Sequence, residues 1–264
     1  MENKHLTKKV LEENNIKVPV GITLKKKDEI DYELFKNHKM VVKPLDTNFG
    51  IGITIFDLNP SKEEIDKAID FAFDNADTII IEEFFEGTEF RFLVFGGECV
   101  SIVKRIPAHV IGDGKHSVKE LVEIKNKNPL RSKGYVTPVE LINLGEFEKD
   151  FIKQQGKDEN TILKENEILY LRKNSNVSTG GDSVELFEQI PKYYKKISEE
   201  AARGLGTVIC GVDMIIKDIY QPQGDYTIIE ANFNPAIQMH TFPYIGYGKE
   251  PAKKLLELLD EYKK

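Results

Sequence analysis

Residues 210–235 read CGVDMIIKDIYQPQGDYTIIEANFNP and are the most informative stretch of the chain. Two apolar runs rich in β-branched residues flank a loop that contains Pro222 and Gly224, which predicts an antiparallel hairpin. Folding the hairpin symmetrically places its midpoint just before Pro222. Asp213 and Glu230 are therefore expected to face each other on neighbouring strands.

The same hairpin predicts a metal site. Asn232 follows Glu230 by two residues and shares its face of the strand, so Asp213, Glu230 and Asn232 offer three oxygen donors on one patch. Two carboxylates this close repel each other unless a cation lies between them, and oxygen ligands without His or Cys favour Mg²⁺ or Mn²⁺. An acidic rim that faces water is the commoner alternative. The apolar neighbours Val212 and Met214 favour carboxylates that emerge from a buried sheet.

Composition limits the class of protein. The chain has 264 residues, of which 40% are hydrophobic and 31% charged, as expected for a globular chain of one large or two small domains. No run is long enough to cross a membrane and the N-terminus has no apolar signal segment, which predicts a cytoplasmic protein. The net charge of −7 gives no general reason to bind nucleic acid. Cys99 and Cys210 lack metal-ligand spacing and are expected to be free and buried.

Outside the hairpin, predicted strands alternate with predicted helices. Further strands are predicted at 40–44, 51–56, 78–85, 90–95 and 100–105, and helical apolar stripes at 6–14, 191–205 and 251–262. Capping-box spacing predicts two more helices, beginning after Ser61 with Glu64 and after Ser117 with Glu120. Residues 125–164 are interpreted as loops and short helices. The expected fold class is α+β, with antiparallel sheets covered by helices.

A possible phosphate loop follows the first of these strands. Residues 43–53, KPLDTNFGIGI, place glycines and small polar residues between two strands, whereas a Walker loop would end in Gly-Lys-Ser/Thr and open a helix. Such a hairpin loop can offer backbone N–H groups to a triphosphate, while Lys43 supplies a positive charge. An ordinary glycine hairpin with an exposed Lys43 is the alternative.

A second nucleotide signal lies at 79–91, IIIEEFFEGTEFR. An apolar strand that breaks into Glu-Glu-Phe-Phe and then Gly can present free backbone groups beside aromatic surface, which suits a flat purine. Glu89 could accept hydrogen bonds from two ribose hydroxyls. A strand that ends in a charged turn explains this segment equally well.

In chain order, the three motifs at 43–53, 79–91 and 210–235 resemble the ATP-grasp superfamily. Further similarities are NKHLTK at 3–8, RIPAHVIGDG at 105–114, LRKNSNVSTGGD at 171–182, GVDM at 211–214 and NFNPA at 232–236. Within the superfamily the chain is most similar to the ATP-grasp module of bifunctional γ-glutamylcysteine ligase/glutathione synthetase, with cyanophycin synthetase a near relative. The resemblance implies two lobes of antiparallel sheet with helices that hold ATP between them. The lobes would span 1–85 and 86–264.

The resemblance also implies a set of ATP-binding residues. The set comprises Lys4, Lys43, Asn48, Gly50, Glu82, Glu83, Phe84, Phe85 and Glu89. Lys4 and Lys43 would contact the phosphates. Glu82 and the backbone of residues 84–85 would contact adenine, and Glu89 the ribose.

Metal and catalytic roles follow from the same resemblance. Asp213, Glu230 and Asn232 match the family's magnesium ligands. Arg172 matches an arginine that steadies the transferred phosphoryl group, and Lys43 is the second implied catalytic cation.

The resemblance assigns the substrate side of the site to a loop and a strand. The implied residues are Arg105, Asn176, Ser178, Gly180 and Gly181. Arg105 would hold an acceptor carboxylate. Without the resemblance, the sequence would equally allow Arg91 and Arg105 to be exposed cations on strands. Residues 178–181 could equally be a mobile surface loop.

The implied reaction forms an amide from a carboxylate and an amine. ATP phosphorylates the carboxylate, and the amine attacks the acyl phosphate with release of phosphate. This chemistry needs lysines, an arginine and divalent cations to stabilise a migrating phosphoryl group, and it needs no protein nucleophile. The scattered histidines are accordingly predicted to be non-catalytic.

Three functions are weighed on this basis. The first is an ATP-dependent ligase that joins γ-glutamylcysteine to glycine, and the second is a related ligase, similar to cyanophycin synthetase, for another peptide or amino acid. The third is a nucleotide-binding module that is inactive without an N-terminal partner domain. The expected partners are small-molecule substrates, with neither nucleic acid nor membrane. A homodimer or a separate γ-glutamylcysteine ligase portion would complete the assembly.

Overall fold

The computed structural model describes residues 4–26, 28–36, 38–45, 52–134 and 136–261. Its helices are α1 (Lys4–Glu13), α2 (Lys62–Phe73), α3 (Val118–Asn126), α4 (Glu146–Gln154), α5 (Lys192–Gly204), α6 (Gln238–Thr241) and α7 (Pro251–Glu261). Its strands are β1 (Gly21–Lys25), β2 (Met40–Pro44), β3 (Thr54–Phe56), β4 (Thr78–Glu83), β5 (Thr88–Phe95), β6 (Glu98–Ile106), β7 (His109–Ile111), β8 (Arg131–Ser132), β9 (Val139–Glu140), β10 (Ile168–Tyr170), β11 (Asp182–Glu185), β12 (Ile209–Ile216) and β13 (Tyr226–Asn232). Asn48 and Gly50 lie outside the described residues, and of Lys4 only the backbone in α1 is described.

The first sheet is antiparallel, with strand order β1-β4-β2-β3. Helix α2 covers it because Ile65, Ala68, Ile69 and Ala72 recur at helical spacing and are buried against the sheet. The helix begins at the predicted capping box, in which Ser61 and Glu64 satisfy each other's backbone N–H groups.

The second sheet has five antiparallel strands in the order β11-β6-β5-β12-β13. One face packs on α1 and α5, because alternate residues such as Phe92, Val212 and Met214 point to that side and are fully buried. The residues between them, among them Asp213, point to the opposite face. Helix α7 packs on one end of that face through Leu258.

A smaller apolar cluster joins α3 and α4 to β7 and β10. It contains part of the segment 125–164, which holds α4 and the parallel two-residue strands β8 and β9 among its loops. The second predicted capping box, Ser117 with Glu120, begins α3.

The α+β class and its antiparallel sheets are therefore confirmed, while some boundaries differ. β4 ends at Glu83, two residues before the predicted end. Residues 4–18 pack on the second sheet, since Leu11, Ile16 and Val18 belong to its core and the carbonyl of Lys17 accepts a hydrogen bond from Ile228. The division into lobes 1–85 and 86–264 stays a prediction. No helix in the described ranges is long and apolar enough to cross a membrane.

Candidate active site

The two hairpin carboxylates face each other as the sequence predicts. Asp213 pairs with Glu230 in the register of β12 and β13, and a bulge directly after Asp213 shifts the next pair to Met214 with Ile228. Asn232 pairs with Gly211 at the end of the same ladder. The three predicted metal ligands therefore occupy adjacent positions on two paired strands.

Asp213 is completely buried and is bound by two guanidinium groups. Arg91 donates from Nε to Oδ1 and from Nη2 to Oδ2, the latter at 2.7 Å. Arg105 donates from Nη2 to Oδ2 at 2.9 Å. Burial raises the pKa of the Asp213 carboxyl, but Arg105 and Arg91 outweigh it and hold that pKa below its usual value. Asp213 is therefore ionised at neutral pH.

Arg91 belongs to this site, although its sequence context fits an exposed strand cation equally well. It lies opposite Asp213 in the register of β5 and β12, and only 7% of it is exposed. Strand alternation contained the signal: Phe90 and Phe92 face the core, so Arg91 must share the other face with Glu89 and Asp213.

Arg105 connects the carboxylate hairpin to a residue predicted for ribose. Its Nη2 also donates to Glu89 Oε1, and Ser175 Oγ donates to Glu89 Oε2. The predicted carboxylate-binding arginine and the predicted ribose-binding glutamate are thus in direct contact. The nucleotide and substrate sides of the predicted site meet at this pair.

The donor set fits a hard divalent cation by its chemistry, with carboxylate and amide oxygens on paired strands. No cluster of three or more Asp, Glu, His or Cys side chains able to hold a metal occurs among the described residues. The predicted set has two carboxylates, Asp213 and Glu230, and its third ligand is the side-chain amide of Asn232. Both oxygens of Asp213 also bind guanidinium groups, so these cations and a metal would share the same carboxylate.

A cavity of about 260 Å³ lies over the two arginines. Arg91 and Arg105 line it together with Asn176 and Ser178 of the predicted substrate loop. Other lining residues are Thr137, Pro138, Glu140, Val177, Ala236, Gln238 and Met239. The cavity thus combines two guanidinium groups with an apolar wall and a few polar side chains, an arrangement suited to a small molecule that carries a carboxylate.

In the first sheet, Lys43 meets the predicted adenine residue Glu82. Glu82 is buried and accepts from Lys43 Nζ through Oε1 and from Lys8 Nζ through Oε2. Burial raises the pKa of Glu82, but the two ammonium groups more than offset this and lower it overall. Lys8 belongs to α1, which packs on the second sheet, so the Lys8–Glu82 pair joins the two sheets. Lys8 belongs to none of the residue sets predicted from the sequence, although it closes the NKHLTK motif at 3–8.

The backbone predicted to meet adenine is partly committed to the sheet. Phe84 N–H donates to the carbonyl of Lys39 at 2.7 Å, and Glu83 N–H donates to the carbonyl of Val20 at 2.8 Å. The Phe84 N–H is therefore committed to the sheet, and the contact of the backbone of residues 84–85 with adenine stays a prediction.

Arg172 is held by α4. Its Nε donates to Glu148 Oε1 at 2.6 Å, and its guanidinium lies 4.9 Å from the ring centroid of Phe147. Glu148 is 2% exposed, so this pair also closes the apolar cluster under α4. Arg172 does not line the cavity over Arg91 and Arg105. Its role at the phosphoryl group stays a prediction.

Gly180 and Gly181 owe their identity to close packing. Gly180 has φ +89°, and a Cβ there would lie 2.8 Å from Ile142 Cγ1. A Cβ at Gly181 would lie 2.7 Å from the carbonyl oxygen of Ile106 and 2.8 Å from that of Asn176. The two glycines let the substrate loop approach its neighbours closely.

His240 lies buried beneath this face of the sheet. Its Nδ1 is 2.9 Å from Ser101 Oγ. Burial, together with the charge of Arg91, lowers the pKa of His240 to about 3. The ring is therefore neutral at physiological pH.

Comparison with known proteins gives the family. The family model of the ATP-grasp domain matches residues 1–153. The chain belongs to the ATP-grasp family, whose members use ATP and a divalent cation.

Individual relatives show which ATP-grasp proteins the chain is similar to. The chain is 49% identical over 263 residues to the glutathione biosynthesis bifunctional protein GshAB of Clostridium perfringens, a match that covers 98% of this chain and 34% of that protein. The GshAB of Enterococcus faecalis is 44% identical over 265 residues, covering 98% and 35%. The chain thus spans about a third of the length of the curated relatives it matches.

Solved structures show the same relationship. The crystal structure of a bifunctional glutathione synthetase from Pasteurella multocida superposes with a TM-score of 0.74 at 40% identity, covering 99% of this chain and 36% of that one. D-alanine–D-alanine ligase from Bacillus anthracis shares the fold, with a TM-score of 0.53 at 18% identity, covering 97% and 62%.

Proposed function

We propose that this chain is an ATP- and Mg²⁺-dependent ligase that joins the carboxylate of γ-glutamylcysteine to the amine of glycine. ATP donates its γ-phosphoryl group to the dipeptide carboxylate and leaves as ADP. The glycine amine then attacks the acyl phosphate, phosphate departs, and a proton is lost as the amide forms. The similarity to the GshAB proteins, which covers nearly all of this chain and about a third of theirs, supports the choice of substrates.

The observation that carries the proposal is the position of Arg91 and Arg105. Both guanidinium groups line the cavity and bind Asp213, which faces Glu230 across the hairpin. A carboxylate substrate in this cavity would lie against two fixed cations that also bind Asp213, a predicted metal ligand. The acceptor of the phosphoryl group would then be next to residues able to neutralise its developing charge.

The chain's own residues would act by holding and orienting the reactants. Arg105 already binds two carboxylates, Glu89 and Asp213, and would hold the substrate carboxylate with the same planar donor group. Lys43 would hold the phosphates from the first sheet. Asp213, Glu230 and Asn232 would bind the divalent cation, which when bound neutralises charge on the phosphates. The loop from Asn176 would cover the substrates, excluding water from the acyl phosphate.

A direct assay of the products tests the proposal. The purified chain is incubated with MgATP, γ-glutamylcysteine and glycine, and both phosphate release and glutathione are measured, the latter by mass spectrometry. We expect one glutathione per phosphate, with little phosphate released when either amino substrate is left out. Efficient ligation of another carboxylate and amine, with no glutathione, would overturn the choice of substrates. Absence of MgATP binding would overturn the proposal that the chain is an ATP-dependent ligase.

A further inference from the structure

Arg131 lies in the segment between α3 and α4, outside every residue set predicted from the sequence, and its side chain is completely buried. Its Nη1 donates to the carbonyl of Glu140 at 2.9 Å and to the carbonyl of Gly180 at 3.0 Å. Its Nη2 donates to the carboxylate of Asp182. One guanidinium therefore binds three chain segments at once.

Two of these segments are walls of the cavity over Arg91 and Arg105. Thr137, Pro138 and Glu140 form one wall, and residues 176–178 form the other. Arg131 binds the first wall at Glu140 and the second at Gly180, directly after the 3-10 turn that carries Ser178. A single side chain thus connects the two walls from behind.

The third contact ties both walls to the sheet. Asp182 is the first residue of β11, and its neighbour Ser183 pairs with Arg105 in the register of β11 and β6. Asp182 is 2% exposed and also accepts from Lys125 Nζ at 2.7 Å. The ring of Tyr244 lies 4.8 Å from the Arg131 guanidinium carbon and keeps water from one of its faces. Arg131 is therefore fixed on the strand beside the one that carries Arg105.

We propose that Arg131 is a positioning residue that sets the distance between the two walls of this cavity, and thereby the fit of the carboxylate substrate. The inference rests on the proposed function. An arginine suits this role because its planar group presents several donors in fixed directions, whereas a lysine offers a point charge on a flexible stem. Arg131→Lys therefore keeps the charge beside Asp182 and loses the simultaneous hold on both walls.

Steady-state kinetics of Arg131→Lys test the fit. We expect the apparent KM for γ-glutamylcysteine to rise roughly ten- to a hundredfold, because displacement of a wall by about 1 Å misaligns the bound substrate. The apparent KM for ATP should stay within about twofold, since Arg131 touches no predicted ATP residue. An equal rise in both constants, or a fall in apparent kcat with both constants unchanged, would overturn the proposal.

Lys125→Gln is the matched control. Lys125 is the second cation on Asp182, and its other contacts go to the carbonyl and ring Nε2 of His109 and to the ring of Tyr244, none of which lines the cavity. Its replacement should lower stability while leaving the KM for the dipeptide close to wild type. An equal rise in that KM in both variants would assign the effect to the charge balance at Asp182 and overturn the proposal.

Two further measurements keep the test decisive. Amide hydrogen exchange of Gly180 and Gly181, whose N–H groups donate to the carbonyls of Val177 and Asn176, needs no substrate. It should be roughly tenfold faster in Arg131→Lys, because the loop opens locally at lower cost. Unchanged exchange would overturn the proposal. Faster exchange would support the wall-fixing role of Arg131 even if the wild type forms no glutathione. Absence of glutathione would count against the proposed function alone.

If Arg131→Lys does not fold, Tyr244→Leu is the second variant. It loosens the same guanidinium without leaving a charge unpaired, and it should shift both the KM for the dipeptide and the amide exchange in the same direction.

Discussion

Arg91 and Asp213 lie opposite each other on β5 and β12 and form a two-pronged ion pair in which 7% of the arginine and none of the aspartate are exposed. The pair occupies the middle of the sheet face on which Glu230, Arg105 and Glu89 also converge. Since water cannot screen these charges, each depends on its partners. The pair is both a structural element of the sheet and the floor of the proposed site.

Arg91→Met should therefore destabilise the fold by about 3 kcal/mol, the lower end of the usual cost of breaking a buried pair, because Asp213 then keeps only Arg105 as a cationic partner. Urea unfolding measures the loss. The double variant Arg91→Met/Asp213→Asn should recover part of it, because the buried charge left with one partner is then also removed. Glu63 and Lys67 form an exposed pair on α2, so Lys67→Met should change stability by less than about 0.5 kcal/mol. Equal effects at the two sites would contradict a buried, tightly paired Asp213.

The alternation of residues along each strand predicts which side chains share this sheet face. It does not predict which strands lie side by side, and so it does not predict which of these side chains meet. Residues 210–235 predicted both strands and the pairing of Asp213 with Glu230, because register follows from apolar alternation and the turn. Contacts between distant strands have no local signal. The pairing of β12 with β5, and with it the contact between Arg91 and Asp213, depends on strand order, which a single hairpin does not determine.

The same reason explains the two other residues that sequence analysis missed. Lys8 lies near the chain start, yet it pairs with Glu82 in the other sheet. Arg131 lies in a polar segment without clear periodicity, and only the folded loops bring Gly180 and Asp182 to it. Both capping boxes were predicted, since a cap is complete within four residues of sequence.

Lys43→Ala should weaken the binding of MgATP. The variant loses one of the two ammonium groups on Glu82, and with it a charge proposed to face the phosphates. The upward shift in melting temperature at millimolar MgATP, which reports binding to the folded state, should be reduced. Lys36→Ala is the control, because Lys36 lies between β1 and β2 of the same sheet but pairs with the exposed Glu33. A Lys43 variant with the wild-type shift would remove Lys43 from the nucleotide site.

Glu230→Gln should leave the fold intact and reduce turnover by roughly two to three powers of ten, because the proposed metal site loses one of its two carboxylates. Phosphate release measured across a titration of Mg²⁺ should show a higher Mg²⁺ requirement in the variant. Glu188→Gln changes an exposed glutamate that pairs with Lys249 and should behave as wild type. Wild-type turnover at low Mg²⁺ in Glu230→Gln would exclude Glu230 as a ligand.

Arg105→Ala should raise the apparent KM for γ-glutamylcysteine more than that for ATP. The variant removes a guanidinium that lines the cavity and is proposed to hold the substrate carboxylate. Lys104→Ala, a change to the neighbouring cation on the opposite side of β6, is the control and should alter neither constant by more than about twofold. If the ATP constant rises more than the dipeptide constant, Arg105 acts on the nucleotide through Glu89 instead.

His240 should make the protein sensitive to mild acid. Its pKa in the folded protein is about 3, whereas an unfolded chain has the ordinary value near 6.5. Between these values the unfolded state binds a proton that the folded state does not. The contribution of His240 is therefore fully present above about pH 6.5 and declines as the pH falls toward 3, by about 1.4 kcal/mol for each pH unit.

His240→Asn isolates this effect, because an asparagine can keep the hydrogen bond to Ser101 and does not titrate. The free energy of unfolding of each protein is measured in urea from pH 7.5 down to pH 4.5, where about half of this interval has been crossed. We expect the wild type to lose stability relative to the variant as the pH falls below about 6.5. Carboxylates such as Asp213, whose pKa is lowered in the folded protein, also destabilise it in acid, but they do so in both proteins and cancel in the difference. Parallel pH profiles for wild type and variant would show that the folded protein accommodates a charged His240, and so that the ring is not closed off from water beneath the proposed site.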